Sequence, residues 1–470
     1  MVFSIKSILA NLPRLGYQRL YFNTLPAHNS NITIMIGENG SGKSTLLREI
    51  LYWARQSSGS ALRRRTSERR ILEDVEVQPS SPFNLRDSPN RVIALSFTPF
   101  DKFPPRDDIA IQASRSVDHG ELISPYYVYL GFKNQYGSTG SRSKLLQLIQ
   151  TVVFEKHREN FHTGISHVLR HINYEPSIRV RYRLTSRFKS YLRLEDQYQN
   201  GSQEVFDQAK TSFSEKFHLN AQRYLRDPIV HHWYYHPPEI SVDLEKDMFS
   251  TAGQRHIFDH YSTHDDKEIS MIQEMVSLGL MHLHEAQIYS KDNPDGWIDL
   301  FQLSSGELNI IVAFLGLGIY LVEGSLVLID EPENSLHPAW QEKYSELLSA
   351  AFEGIPDCQF ILATHSPIIL SGISKNGASV VRLDKSPCNI DSATFEGMAS
   401  DAALVNGFGV VIEGNSYLRQ LALEALTLIR TGEGGSVRFK AIQSVFSDHI
   451  DSMDQDDPLN KLAYAILDHG

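Results

Sequence analysis

Runs of apolar residues, each followed by a polar turn, recur along the chain and predict buried β-strands. Isoleucines alternate with other residues in the stretch Asn31–Ile36, at positions 32, 34 and 36. Residues 326–329 and 360–363 are continuously apolar. Residues 92–97 form a further, largely apolar run. Continuous apolar runs of this length are typical of strands buried on both faces of a parallel sheet. We therefore expect an α/β fold whose strands come from distant parts of the sequence.

Apolar residues at helical spacing predict helices between and beyond these strands. The first such helix should begin at Thr45, directly after the strand at 31–36, and further helical faces occur at residues 145–153, 269–280 and 418–429. The interval between Ser44 and Leu303 contains no sustained heptad repeat and no cysteine, and several prolines interrupt it. This pattern excludes a zinc hook, argues against a long coiled coil and predicts a compact, mostly helical inserted lobe.

The composition narrows the class of protein. Of 470 residues, 41% are hydrophobic and 21% are charged, as in ordinary globular proteins. The net charge of -11 argues against a uniformly basic face for nucleic acid. Cys358 and Cys388 lack the spacing of a zinc site or disulfide framework. The N-terminal residues show no signal-peptide pattern, and the longest apolar run, 308–322, is shorter than the ~20 residues of a membrane span. We expect a cytoplasmic protein without a membrane segment.

A glycine-rich segment with the sequence Gly-Glu-Asn-Gly-Ser-Gly-Lys-Ser occupies residues 37–44. A strand, a glycine-rich turn and a helix in this order are typical of a P-loop, whose backbone N–H groups bind the phosphates of ATP. The Lys43 ammonium would contact the β- and γ-phosphates, and the Ser44 hydroxyl would coordinate Mg²⁺. The residues expected to bind ATP here are Asn39, Gly40, Ser41, Gly42, Lys43, Ser44 and Thr45.

Polar residues also follow the other two apolar runs. Asp330 and Glu331 end one run, and His365 lies just beyond the other. Ligands of parallel sheets bind at the carboxyl ends of strands, so we expect Asp330 to hold Mg²⁺ and Glu331 to activate the attacking water. His365 would contact the γ-phosphate. The alternatives are a solvated acidic pair before Pro332 and a purely structural histidine.

The sequence Leu-Ser-Ser-Gly-Glu at residues 303–307 resembles the signature motif of the ABC-type ATPase superfamily, in the branch of SMC-like and overcoming-lysogenization-defect ATPases. The resemblance implies that Ser304, Ser305 and Gly306 bind a nucleotide held by a second subunit, with residues 334–337 as the D-loop. It also implies a homodimer or higher homo-oligomer that assembles through composite ATP sites. Gln112 and Gln135 are candidates for the Q-loop glutamine of this superfamily.

The resemblance divides the chain into four parts. Residues 1–140 and 291–400 form the two halves of an ABC-type P-loop ATPase domain of α/β class. Residues 141–290 form the inserted lobe, and residues 401–470 form a small C-terminal extension. A strand ending at Glu413 and Gly414 resembles the start of a TOPRIM nuclease site, but the later acids, from Asp448 to Asp457, form a polar, loop-like run. We therefore expect no nuclease within this chain.

The basic residues of the lobe leave two interpretations open. In residues 178–184, arginines at 179, 181 and 183 alternate with apolar residues, which predicts a strand with one basic face. Arg187, Lys189 and Arg193 follow. This face could bind nucleic acid or an acidic protein, or it could be an ordinary sheet face paired with nearby acids. A second arginine cluster, at residues 63–70, is expected to be a mobile loop.

The resemblance extends to the ATPase subunits of PARIS-type antiphage-defence systems and, second, to those of Septu-type systems. These families pair the ATPase with a separately encoded nuclease. They imply an ATP-hydrolysing switch that controls a separate effector, with a phage protein or DNA as the trigger. The alternative is a DNA-repair or DNA-processing ATPase that acts directly on DNA. The size of the insertion argues against a transporter subunit.

Overall fold

The computed structural model divides the chain into two compact units. The first unit combines residues 1–139 with residues 321–470, and the second unit comprises residues 140–320. The structure describes residues 4–13, 15–22, 31–58, 72–78, 88–98, 101–104, 126–131, 141–154, 164–199, 214–244, 266–293, 296–352, 355–373, 378–384, 389–390, 395, 398–411, 415–454 and 457–469. No helix within these ranges has both the length and the apolar character needed to cross a membrane.

A seven-stranded sheet forms the core of the first unit. Its strands, in spatial order, are β14 (Asn389–Ile390), β13 (Ala378–Arg382), β3 (Asn31–Ile36), β12 (Gln359–Ala363), β11 (Ser325–Asp330), β5 (Arg91–Ser96) and β6 (Tyr127–Tyr129). Neighbouring strands pair in parallel except β13 with β14. Every residue of β3, β12, β11 and β5 is buried, which explains why their sequences are so apolar. These four neighbours are the strands predicted from the apolar runs.

The helices of the first unit cover this sheet. Helix α1 (Lys43–Ser57) follows β3 and packs its apolar face against β11 and β12. The residues of this face, all fully buried, are Leu46, Leu47, Ile50, Leu51 and Ala54. The helix begins two residues before the predicted start at Thr45. Helices α9 (Pro338–Ala351) and α10 (Pro367–Ser371) each begin with proline at the first position, where the missing N–H costs no hydrogen bond.

A separate antiparallel sheet of three strands also belongs to the first unit. It contains β2 (Gly16–Tyr21), β1 (Ser4–Leu12) and β4 (Leu72–Gln78) in that order. The buried side chain of Gln359 joins it to the main sheet, because its Oε1 accepts from the Ile5 N–H at 2.9 Å and its Nε2 donates to the Ile5 carbonyl at 3.2 Å.

The C-terminal residues form a helical cluster with its own apolar core. Its elements are α11 (Ser400–Ala403), a π-helical turn (Leu404–Phe408), α12 (Ser416–Arg430), α13 (Val437–His449), a 3₁₀ turn (Ile450–Ser452) and α14 (Pro458–Leu467). The amphipathic helix predicted after Asn415 is present as α12, and Asn415 caps it. The acids after 447 are not a loop-like run as predicted: Asp448 lies in α13 and Asp457 caps α14. Glu413 and Gly414 lie outside the described residues.

The second unit contains a four-stranded antiparallel sheet in addition to helices. In spatial order its strands are β10 (Trp297–Asp299), β9 (Met281–Ser290), β7 (Tyr174–Leu184) and β8 (Glu239–Asp243). Its helices are α2 (Ser141–Phe154), α3 (Ile165–His171), α4 (Ser186–Gln199), α5 (Glu215–Gln222), α6 (Pro228–Tyr235), α7 (Asp266–Ser277), a 3₁₀ turn (Leu300–Gln302) and α8 (Ser305–Tyr320). The compact unit extends to residue 320, whereas the predicted lobe ended at 290.

Two of the three arginines of strand β7 pair with acids of the same sheet. Arg181 donates to Glu285 at 2.7 Å and to Glu239 at 2.8 Å. Arg179 pairs with Glu239 at 3.2 Å and lies over the Trp297 ring at 4.0 Å from its centre. These contacts favour the interpretation of an ordinary sheet face paired with nearby acids.

Candidate functional site

The glycine-rich loop after β3 has a backbone that only glycine adopts readily. Gly37, Gly40 and Gly42 have φ angles of +148°, +80° and +101°. A Cβ atom at Gly42 would also lie 3.0 Å from the Cδ of Pro13. Asn39 and Gly40 are exposed, whereas Ser41 is buried and donates its N–H to the Glu38 carbonyl at 3.2 Å. The loop therefore presents its backbone at the N-terminus of α1, as phosphate binding requires.

Lys43, the first residue of α1, extends back over this loop. Its Nζ donates to the Gly37 carbonyl at 2.6 Å and lies 3.3 Å from His365 Nδ1. Burial lowers the Lys43 pKa to about 8, and neighbouring acids, first among them Glu333, oppose that shift. An ammonium has only donors, so Lys43 can donate to His365 Nδ1 only in the tautomer that carries the ring proton on Nε2. Phosphate oxygens would be stronger acceptors for Lys43 than the carbonyl that it now contacts.

The two predicted metal ligands are direct neighbours. Ser44 Oγ donates to Asp330 Oδ1 at 3.0 Å, at the carboxyl end of β11. Burial and, after it, the charges of Glu331, Asp101 and Glu333 raise the Asp330 pKa to about 7, although the Ser44 hydrogen bond acts to lower it. Hydroxyl and carboxylate oxygens are the ligands that Mg²⁺ prefers, and a divalent cation would relieve this concentration of negative charge. The residues present therefore fit Mg²⁺.

The described residues contain no group of three or more His, Cys, Asp or Glu side chains that could hold a metal ion by themselves.

Glu331 follows directly after β11 in an uncommon backbone conformation. Its φ angle is +51°, and its N–H donates to the Ala363 carbonyl of β12 at 2.9 Å. The side chain is partly exposed, and Asn334 Nδ2 donates to its Oε2 at 2.8 Å. Asn334, the first residue of the predicted D-loop, thus orients the carboxylate that was predicted to activate water.

Glu333, which was not among the predicted site residues, connects the loops after β11 and β12. One carboxylate oxygen accepts from the His365 backbone N–H at 2.6 Å, and the other accepts from Thr364 Oγ1 at 2.8 Å. Burial lowers the pKa of the His365 ring, and the charge of Lys43 lowers it further, so the ring is neutral at pH 7. The sequence signal that could have indicated Glu333 is its position two residues after Glu331.

Two more polar residues reach the loop and its helix without having been predicted. Asp384, just after β13, accepts from the Glu38 N–H at 2.9 Å. Lys102 Nζ donates to Oγ1 of Thr45, in the first turn of α1. Both contacts join residues far apart in the sequence, so no local pattern indicates them.

The predicted signature residues lie in the second unit, at the start of α8. Ser304 and Ser305 are exposed, and Gly306 is buried. Ser304 donates from its backbone N at 2.8 Å and from its Oγ at 2.6 Å to the Glu307 carboxylate, and Tyr174 donates to the other oxygen of that carboxylate at 2.7 Å. The Glu307 N–H donates in return to Ser304 Oγ at 3.3 Å. This reciprocal arrangement is a capping box, which satisfies N–H groups at a helix start.

Comparison with known proteins identifies the family. The model of AAA_21, described as "AAA domain, putative AbiEii toxin, Type IV TA system", matches residues 32–371. The chain belongs to the AAA_21 family. The "Retron Vc95 probable ATPase" of Vibrio cholerae serotype O1 biovar El Tor is 21% identical over 420 residues, which cover 81% of this chain and 74% of the relative. The family and this relative's name support the predicted ATPase class.

Two solved structures are also similar to this AAA_21 chain. An SMC head bound to the C-winged helix domain of ScpA is 12% identical, and the match covers 82% of this chain and 97% of the SMC head chain. The recombination mediator protein RecF with ATP is 13% identical, and the match covers 83% of this chain and 99% of the RecF chain. Both have a TM-score of 0.27. Family membership and the parallel sheet confirm the predicted α/β P-loop ATPase fold.

Some predictions for this AAA_21 chain concern residues that the structure does not describe. Gln112, Gln135 and the arginine cluster at residues 63–70 lie outside the described residues. The resemblance to PARIS-type and Septu-type ATPase subunits stays a prediction.

Proposed function

We propose that this chain binds ATP with Mg²⁺ and hydrolyses it. The observation that carries the proposal is the convergence of Lys43, Ser44, Asp330, Glu331 and His365 at the carboxyl ends of β3, β11 and β12. In the sequence these residues come from three separate segments. A parallel sheet collects ligand-binding groups at this edge, so their convergence supports a common site.

Each residue has a role that follows from its chemistry. The loop amides and Lys43 bind the phosphates, and Ser44 and Asp330 would hold Mg²⁺, which when bound neutralises phosphate charge. Glu331, oriented by Asn334, accepts a proton from the attacking water. The neutral His365 ring carries its proton on Nε2 and donates it as a hydrogen bond to the γ-phosphate.

We propose further that two copies of the chain share their ATP sites. Ser304 and Ser305 are exposed at the N-terminus of α8, whose helix dipole favours an anion. The Ser304 hydroxyl, which now donates to Glu307, would turn to that anion. A second copy's γ-phosphate is the anion that the resemblance implies. In this scheme ATP binding joins the copies as a homodimer or larger homo-oligomer, and hydrolysis separates them.

The assembled state would control a separate effector, for which a nuclease is our first candidate, in bacterial antiphage defence. The family description names a type IV toxin–antitoxin system, which implies a second component, and the curated relative is named as the ATPase of a retron. Both names support a role beside other components. The internal ion pairs of β7 give no support to direct action on DNA.

The test is the substitution Glu331→Gln, with Glu346→Gln as a matched control on the exposed surface of α9. Glu331→Gln should abolish ATP hydrolysis, retain ATP binding and increase the mass in light scattering when ATP is added. The control should hydrolyse ATP at the wild-type rate. Wild-type turnover by Glu331→Gln would overturn the catalytic assignment. Strong stimulation of wild-type hydrolysis by DNA ends would overturn the switch in favour of a DNA-processing ATPase.

A further inference from the structure

A second lysine reaches the site from outside the recognised motifs. Lys102 Nζ donates to the hydroxyl of Thr45. Thr45 lies in the first turn of α1, next to Ser44, whose hydroxyl contacts Asp330. The Lys102 ammonium therefore lies beside the helix N-terminus that holds the proposed metal ligands.

The sheet explains how Lys102 comes to this place. Lys102 follows β5, which pairs in parallel with β11 so that Ser96 lies opposite Asp330. The carboxyl ends of adjacent parallel strands meet at one edge, so the segment after β5 reaches the site beside Asp330.

The backbone on both sides of Lys102 is anchored independently of its side chain. Asp101 accepts from the Phe103 N–H at 2.8 Å and from the Tyr129 hydroxyl at 2.6 Å. Phe103 is buried in the apolar core. The Tyr127 hydroxyl donates to the carbonyl of Pro104 at 2.7 Å. The segment is thus fixed while the Lys102 side chain stays exposed. A long, exposed side chain on a fixed segment can exchange its hydrogen-bond acceptor without disturbing the fold.

The present acceptor of Lys102 does not balance its charge. The Thr45 hydroxyl is neutral, and an ammonium carries three N–H donors. Partial burial and the charge of Arg48 both lower the pKa of Lys102, while Asp330 opposes this shift. A cation in such surroundings is stabilised by an anion, and the anion that this site is proposed to hold is the phosphate chain of ATP.

We infer that Lys102 binds the terminal phosphate of ATP. The inference rests on the proposed function, because it assigns a further residue to the same ATP site. Lys102 follows β5, whose Ser96 lies opposite Asp330, and Glu331, next to Asp330, would activate water for attack on the terminal phosphate. Lys102 would therefore distinguish ATP, which has this phosphate, from ADP, which lacks it.

The test compares ATP and ADP affinities of Lys102→Met by titration calorimetry with Mg²⁺, in the Glu331→Gln background so that ATP is not consumed. Methionine keeps most of the length of the side chain and removes the charge. We expect ATP to bind about tenfold more weakly, as for loss of a charge-assisted hydrogen bond, and ADP to change by less than about threefold. Lys102→Arg should restore ATP affinity to within about threefold of the lysine protein. Lys440→Met, on the exposed surface of α13, is the matched control and should change neither affinity.

The outcomes separate this inference from the proposed function. Unchanged ATP affinity in Lys102→Met overturns the inference, as does an equal loss for ATP and ADP or an arginine variant as weak as the methionine variant. In each of these cases the proposed function stands if Lys43→Ala still abolishes ATP binding. If the Glu331→Gln protein with Lys102 intact binds no ATP, the proposed function itself is wrong.

Discussion

Replacing Glu333 with glutamine is expected to slow ATP hydrolysis while ATP binding is retained. The two carboxylate oxygens of Glu333 accept hydrogen bonds from the His365 N–H at 2.6 Å and from Thr364 Oγ1 at 2.8 Å. Glutamine offers one acceptor oxygen and one donor group, so it can replace only one of these contacts unchanged. The backbone N–H of His365 cannot rotate to become an acceptor, whereas the Thr364 hydroxyl can. The glutamine oxygen should therefore face His365.

The structure sets the size of the expected effects. A hydrogen bond to a charged group contributes about 1.5–3 kcal/mol, and a neutral one about 0.5–1.5 kcal/mol. Burial raises the Glu333 pKa, so the native charge is itself costly and its removal offsets part of the loss. We therefore expect the free energy of unfolding to fall by about 1–2 kcal/mol. Hydrolysis is more sensitive, because the bond that holds the His365 backbone becomes a weaker, neutral hydrogen bond. A shift of about 1 Å in a positioned group can reduce the rate about a hundredfold.

The measurements are steady-state ATP hydrolysis, ATP affinity by calorimetry and unfolding in guanidinium chloride. Glu333→Gln should show a kcat about tenfold to a hundredfold lower, with ATP affinity within about threefold of wild type. Glu346→Gln, on the exposed surface of α9, should match wild type in all three measurements. A wild-type kcat for Glu333→Gln, alongside a low kcat for His365→Ala, would refute the view that Glu333 positions His365.

Three further expectations follow. Gly42→Ala should lower the free energy of unfolding by about 1–3 kcal/mol, because φ at Gly42 is +101° and the new Cβ would contact Pro13. Gly432 has a φ of +79° and open space around its Cβ position, so Gly432→Ala should lower the free energy of unfolding by less in the same denaturation experiment. Tyr174→Phe should cost about 1 kcal/mol of stability through its lost bond to Glu307, without changing ATP affinity by calorimetry; a loss of ATP affinity would contradict this. Chelation of Mg²⁺ by EDTA should stop hydrolysis and weaken ATP binding, since the buried carboxylates then repel the phosphates, and Mg²⁺ in excess should restore both.

The sequence identifies the residues at the strand ends, because each belongs to a short local pattern. Lys43, Asp330 and His365 each follow or end an apolar strand, and the parallel sheet then brings them together. Glu333 and Asp384 carry no comparable pattern. Their partners are 31 and 346 residues away along the chain, and only the order of strands in the sheet makes them neighbours.

The sheet of the second unit illustrates a different limit. Strand β7 was predicted because its apolar residues alternate without interruption. Strand β9 was not, since its pairing with β7 shifts register between Arg181 and Tyr182, which leaves His284 as an extra residue. Such a bulge breaks the two-residue period along β9. The burial pattern changes phase after Leu283, so no single alternation runs through the strand.

The hydrogen bonds of Lys43 indicate where ATP binding would first alter the protein. Lys43 Nζ now contacts the Gly37 carbonyl and His365 Nδ1, and an ammonium that turns to phosphate oxygens must give up acceptors of this kind. The His365 ring would then lose its Lys43 partner, while its backbone N–H stays bound to Glu333. The ring would thus change its partner while Glu333 holds the backbone. In a switch that reads the γ-phosphate, this combination lets one side chain respond while the loop that carries it keeps its position.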